Sequence, residues 1–234
     1  MITLHGFGPA LGLPDPSPFV LKTHLLLRLH KVEFDYVPSM KNLQIAPKGK
    51  LPFIKDDEKI ICDSFFINEY LKEHYSNNLD NHLTEEQIAE AHFISKSIEE
   101  NFYWCIVYFR WIYEKNWKII KKLFFGKMPF PFNKIIPRVA NKDVQKALHG
   151  HGLGRHSEEE ILFIAEQHLK ALNTFLGGKQ FCFGDKSSSL DATVYAFLAQ
   201  VLLATIDSPL SEIAKKHQHL VDYCNNMQSR YYET

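Results

Sequence analysis

The sequence predicts a two-domain fold: a mixed α/β unit over residues 1–76, then an all-α unit over residues 84–234. Three observations predict it. Strand-like and helix-like stretches alternate through the first 75 residues. A polar break, Asn77-Asn78-Leu79-Asp80-Asn81, follows them. From Thr84 onward only helical periods remain, punctuated by capping signals.

Ile2-Thr3-Leu4-His5 reads as a short strand, and Gly6–Pro16 as a loop with three Gly and three Pro. Pro18–Lys31 carries apolar residues at Val20, Leu21, Leu25, Leu27 and Leu29 and reads as a helix. Phe34-Asp35-Tyr36-Val37 alternates as a second strand, and Met40–Ile45 is a short helix or irregular piece. Pro52-Phe53-Ile54 and Lys59-Ile60-Ile61-Cys62 flank the acidic turn Asp56-Asp57-Glu58, which predicts a hairpin. Asp63–Tyr75 returns to helical spacing, with Phe66, Ile67, Tyr70 and Leu71 on one stripe. A right-handed crossover makes the first two strands parallel, so the sheet should be mixed, four-stranded and covered by helices on both faces.

In the second unit, Thr84-Glu85-Glu86-Gln87 is a capping box opening a long helix through about Tyr113. Ser157-Glu158-Glu159-Glu160 and Ser188-Ser189-Leu190-Asp191 open two more helices. Leu123–Pro137 contains Met128-Pro129-Phe130-Pro131-Phe132, apolar but too rich in proline for one regular helix. It reads as a lid or a partner surface. Lys115, Lys118, Lys121 and Lys122 read as a solvated helix face.

Bulk properties narrow the function. Lys plus Arg and Asp plus Glu both number 27, so the balance gives no electrostatic reason to expect nucleic acid or an anionic membrane as partner. The four cysteines, Cys62, Cys105, Cys182 and Cys224, are far apart, which fits a reducing compartment better than a disulfide scaffold or a zinc site. The N-terminus lacks a signal-peptide pattern, and the longest apolar run, Phe102–Phe109, is too short to span a bilayer. The expectation is a cytoplasmic protein without a membrane span.

Asp15-Pro16-Ser17-Pro18-Phe19 is the most informative phrase. It puts a Ser at the mouth of a helix with Pro at the first helical position. A helix N-terminus has unpaired N–H groups and a partial positive charge, so it can hold a phosphate, a carboxylate or a thiolate. Ser17 also reads simply as a helix cap.

Strand, Ser-Pro-Phe, then helix resembles the way a thioredoxin-like domain presents its reactive group. Followed by an all-α domain, the arrangement resembles the glutathione transferase superfamily across the whole chain. Leu51-Pro52 looks like the cis-proline before the third strand of that family. Asp63-Ser64 looks like the acidic-Ser pair opening its third helix, and Ser188-x-x-Asp191 like its C-terminal capping box. Gly12-Leu13-Pro14-Asp15-Pro16-Ser17-Pro18-Phe19 and Gly150-His151-Gly152-Leu153-Gly154-Arg155-His156-Ser157 are similar to the metaxin and failed-axon-connections branch. Members of that branch often carry Cys after Ser-Pro-Phe, where this chain has Val20.

The resemblance implies that glutathione is a co-substrate, with no permanently bound cofactor or metal. It would lie along Leu51, Pro52, Asp63 and Ser64, with its sulfur at Ser17. The thiolate would attack a small apolar electrophile or reduce a peroxide. Tyr103, Tyr108, Trp111 and Arg155 would face the substrate cleft, although the aromatic residues also read as core. A homodimer is implied. The alternative is a metaxin-like binding or adaptor protein that keeps the fold without catalysis. The Gly150–His156 stretch, with His149, His151 and His156, reads as a metal site, as an anion cradle around Arg155, or as a plain loop.

Overall fold

The computed structural model describes residues 1–75 and 79–233. Its first part holds strands β1 (Ile2–Gly6), β2 (Phe34–Pro38), β3 (Phe53–Asp56) and β4 (Lys59–Cys62), with helices α1 (Pro18–Leu29), α2 (Asn42–Ile45) and α3 (Ser64–His74). The sheet order is β2-β1-β3-β4. β1 and β2 are parallel, while β1–β3 and β3–β4 are antiparallel, as the crossover and hairpin arguments require.

The second part is helical: α4 (Glu85–Ser97), α5 (Tyr103–Trp111), α6 (Glu114–Phe125), α7 (Phe132–His151), α8 (Glu158–Leu176), α9 (Ser189–Leu202), α10 (Pro209–Ala214) and α11 (Gln218–Tyr232). All three anticipated capping boxes form, at Thr84, Ser157 and Ser188. The long helix from Thr84 runs to Trp111, close to the expected end at Tyr113. One wide turn, Ile98–Phe102, separates α4 from α5. It is where Glu99 turns inward to meet Lys22 of α1, with Nζ to Oε1 at 2.5 Å.

Ten of the twelve residues of α1 are buried, so this helix is covered on nearly every side. It packs against α3 and, across the domain boundary, against α9. One hydrophobic cluster runs from Ile2 and Leu4 through Leu25 to Phe197 and Met227, so the two domains share a core. The buried stripe of α3 is Ser64, Ile67, Asn68 and Leu71. Phe66, expected on that stripe, is 53% exposed.

The described part of the predicted polar break, from Leu79 onward, is held by specific contacts. Asn77 and Asn78 lie outside the described residues. Leu79 is buried, and Asp80 accepts from the backbone and hydroxyl of Ser189 at 2.8 and 2.7 Å while facing Lys72 at 3.1 Å. The linker is therefore pinned to both halves. The proline-rich stretch divides as expected, but the break lies before Pro137: α6 ends at Phe125, and α7 begins at Phe132 and runs through a buried Pro137.

Candidate functional site

Strand register builds one end of the sheet into a site. Gly6 pairs with Pro38, His5 with Phe53, and Phe53 with Cys62. The end of β1, the start of β3 and the end of β4 therefore coincide. Val20, in the first turn of α1, packs in a small cluster with Ala46, Leu51 and Phe53. The Asp63 backbone N–H donates to the Pro52 carbonyl at 3.3 Å. These contacts set the Ser17–Val20 turn beside Leu51 and Phe53 and the Asp63-Ser64 helix start beside Pro52, and the Leu51–Pro52 bond is cis.

Ser17 is the N-cap of α1 and half-buried. Its Oγ accepts from the Val20 N–H at 3.4 Å, a long bond for a cap. Among the described residues, its hydroxyl proton has no acceptor. Asp63 caps α3 by accepting from the Phe65 N–H at 2.9 Å, with φ of 80°. Few non-glycine residues hold that conformation, and it recurs at functional sites. Ser64, the first residue of α3, is buried, and its hydroxyl has no hydrogen bond among the described residues. Two helix N-termini thus present polar groups at one end of the sheet.

The ground beneath Ser17 is a carboxylate that the sequence reading missed. Asp15 is 1% exposed and accepts from the N–H groups of Phe7, Gly8 and Ser17 at 2.8, 3.1 and 2.7 Å and from the Tyr36 hydroxyl at 2.6 Å. Burial pushes it up to about 6, against the pull of those four donors. Gly6 is required beside it. A Cβ there would fall 2.6 Å from the Tyr36 hydroxyl and from Val20, and 2.8 Å from Asp15. The signal in the sequence was the spacing Asp-x-Ser, an aspartate two residues before a cap.

Arg110 is the second missed residue. It is buried in α5 and donates through Nη1 to the Pro16 carbonyl and through Nη2 to Gln200 Oε1 at 2.7 Å. Gln200 of α9 donates in turn to the Asp15 carbonyl at 3.3 Å. The helical domain therefore clamps the loop that carries Ser17. Burial lowers Arg110 to about 10, offset in part by Tyr103 and Asp15. In the sequence, Arg110 stood out as the charge that ends the apolar run from Phe102.

The four expected cleft residues are not gathered at one place. Tyr103 meets Phe19 edge to face at 5.0 Å, close to Ser17 in sequence and space. Its phenol is raised by burial, moderated by the charge of Arg110. Tyr108 instead lines a groove with Ile112, Lys142, Leu148 and His149, and its hydroxyl donates to Glu158 at 3.4 Å. Trp111 packs between Trp117 and Phe124 against the Leu11–Ile120–Ile206 cluster. Arg155 is exposed, and its Nε donates to the His149 carbonyl at 3.1 Å, which finishes α7 rather than facing a cleft with Tyr103. Helical geometry explains Tyr108, which five residues beyond Tyr103 points about 140° away around α5; Trp111 lies about two turns further along the helix, and Arg155 belongs to the turn after α7.

The Gly150–His156 stretch is ordered by packing. Gly150 and His151 complete α7, and His151 stacks on Trp104 at 5.0 Å with Nε2 2.9 Å from the Glu100 carbonyl. Leu153 is buried in the turn that follows. Among the described residues, no three His, Cys, Asp or Glu side chains gather as a metal site would require.

Residues 18–116 match the glutathione S-transferase N-terminal domain, and residues 165–227 match the glutathione S-transferase C-terminal domain. An isoprene-epoxide–glutathione S-transferase of a Rhodococcus species is 34% identical over 99% of both chains. The chain belongs to the glutathione S-transferase family. It is also 31% identical to Failed axon connections of Drosophila melanogaster and 29% identical to human Metaxin-1. It covers 58% and 44% of those two longer proteins, with 98% and 88% of its own length aligned. Among solved structures, a beta-etherase from Sphingobium superposes with a TM-score of 0.68 at 20% identity, covering 98% of this chain and 95% of that one. A glutathione transferase of Populus trichocarpa superposes with a TM-score of 0.61 at 13% identity, over 98% and 94% of the two chains. The thioredoxin-like domain joined to a helical domain is thus the fold of this family, and none of its described helices is long and apolar enough to cross a membrane.

Proposed function

We propose that this protein is a glutathione transferase that joins glutathione to a small apolar epoxide. The observation that carries the reading is the convergence at one sheet end of Ser17, the cis Leu51–Pro52 bond and the Asp63-Ser64 helix start. The backbone around Leu51-Pro52 suits the cysteinyl part of the tripeptide. The free hydroxyl of Ser64 and the α3 N-terminus suit its γ-glutamyl carboxylate. Ser17 keeps a hydroxyl proton to donate to sulfur, and the α1 N-terminus adds partial positive charge, so both lower the thiol pKa. The thiolate attacks a ring carbon of the epoxide. The C–S bond forms as the strained C–O bond breaks, and the alkoxide takes up the proton equivalent released when the thiol ionised. The 34% identical relative acts on such an epoxide by its name, which supports this substrate class. Phe19 and Tyr103 supply an apolar wall beside Ser17. A homodimer fits exposed Phe66 on α3 and Phe93 on α4, which would be covered if the sheet domain of one copy meets the helical domain of another.

The similarity to Failed axon connections and the metaxins favours a second reading, a binding protein without catalysis. Isothermal titration of glutathione into the parent protein and into Ser64→Ala separates the two. The transferase reading expects binding that weakens about tenfold in the variant, the value of one charge-assisted hydrogen bond. No heat at millimolar glutathione in the parent protein would sink it and leave the binding-protein reading.

A further inference from the structure

The balanced charge of the whole chain conceals a segregation. Between Glu114 and Lys146, the α6–α7 hairpin carries nine Lys or Arg and two acidic residues. The remainder of the chain carries eighteen against twenty-five. On the same hairpin, apolar side chains face solvent. Phe132, Ile135, Ile136 and Val139 are 54, 52, 37 and 53% exposed. Their spacing of three, four and seven residues is that of one helix face. The opposite side of α7 is already satisfied, with Pro137 and Leu148 buried. Phe130, at the tip between the two helices, is 77% exposed, and Ile119 and Leu123 of α6 are each 44% exposed. Lys134, Arg138, Lys142 and Lys146 continue along α7, all exposed. The hairpin thus has one apolar side in the core and a second turned outward amid cationic residues.

We propose that the α6–α7 hairpin docks the protein on an anionic lipid surface, with Phe130 and Phe132 entering the interface and the flanking Lys and Arg meeting the headgroups. Helices that lie in a bilayer interface combine bulky apolar residues on one face with Lys and Arg around them. Each basic residue near such a surface adds about a fivefold gain in partition. A second copy of the chain is a poor occupant, because the same excess of positive charge on each hairpin would be brought together. The site is separate from the Ser17 end of the sheet and does not depend on glutathione chemistry.

The test is co-sedimentation of the full chain with vesicles of phosphatidylcholine alone and of phosphatidylcholine mixed with phosphatidylserine. The parent protein should pellet with the mixed vesicles at low salt, at least about tenfold more than with neutral ones, and be released by high salt. Phe130→Ser with Phe132→Ser should lower partition more than about tenfold. Arg138→Glu with Lys142→Glu should lower it by at least about twenty-fivefold, as two fivefold steps compounded. All four positions are exposed, so the variants should keep the parent circular dichroism spectrum. Equal partition of parent and variants, or no pelleting of the parent, overturns the proposal. So does self-association of the lipid-free protein that the Phe130→Ser, Phe132→Ser variant abolishes. Retention by an immobilised Glu- and Leu-rich amphipathic peptide without vesicle binding would likewise reassign the face to a protein partner.

Discussion

Arg110 of α5 donates to the carbonyl of Pro16, the residue before Ser17. A guanidinium from the helical domain thus fixes the loop that the α/β domain uses to present its helix start. With Gln200 it forms a short buried chain, Pro16–Arg110–Gln200–Asp15. Arg110→Met should leave the Pro16 carbonyl and Gln200 Oε1 without partners and cost about 3 kcal/mol, read as a lower urea midpoint. In the protein that remains folded, kcat/KM with glutathione should fall about tenfold, because Ser17 is less well held. An unchanged midpoint would mean that water replaces the guanidinium at no cost.

Ser17→Ala tests the thiol contact itself. The cap bond it removes is long at 3.4 Å, so stability should change by no more than about 1 kcal/mol. Activity should fall about a hundredfold, as when one positioned donor to a developing anion is lost. Thiolate absorbance of bound glutathione should appear at higher pH than in the parent. Cys62→Ala should leave activity intact, since Cys62 is the half-exposed thiol at this end of the sheet and the other three are buried. Parent-level turnover in Ser17→Ala, or its loss in Cys62→Ala, would reverse the roles.

Asp15 gives a pH signature. Its folded-state pKa is raised by burial, from 3.8 to about 6. The native state therefore binds the proton more tightly than the unfolded chain, and stability falls as pH rises through that window. Measured against Asp15→Asn, the parent should lose about 3 kcal/mol between roughly pH 4 and pH 7, then no more. Urea midpoints across that range decide it. A constant difference between the two proteins would mean that Asp15 titrates as a solvated carboxyl.

Lys22 and Glu99 join the two domains by a buried ion pair, with side chains 7 and 5% exposed. Burial raises the Glu99 carboxyl, but Lys22 and Lys96 outweigh it and bring it below the ordinary glutamate range. A lowered carboxyl contributes stability above its unfolded pKa and loses it as pH falls through the folded value. Glu99→Gln should cost about 3 kcal/mol at neutral pH by stranding Lys22. Lys22→Met together with Glu99→Leu should cost much less, since an apolar pair of similar volume avoids the desolvation. If the double variant is as unstable as the single one, packing around the wide turn matters more than charge.

The sequence by itself determined the elements and their order. Period-two runs set Ile2–Gly6 and Phe34–Pro38, and the acidic turn at Asp57 set the β3–β4 hairpin. Capping boxes fixed the starts of α4, α8 and α9, because a cap is a contact within four residues. Ser17 and Ser64 were visible for the same reason, each marking a helix start. Only the tertiary structure decided what stands behind them. Asp15 meets Tyr36 across 21 residues, and Arg110 meets Pro16 across 94. No local pattern encodes such partners. The fold also sent Tyr108, Trp111 and Arg155 away from Tyr103, and it turned the apolar residues after Phe130 outward. Periodicity shows that a helix has an apolar face, but which face meets the core depends on where the neighbouring elements lie.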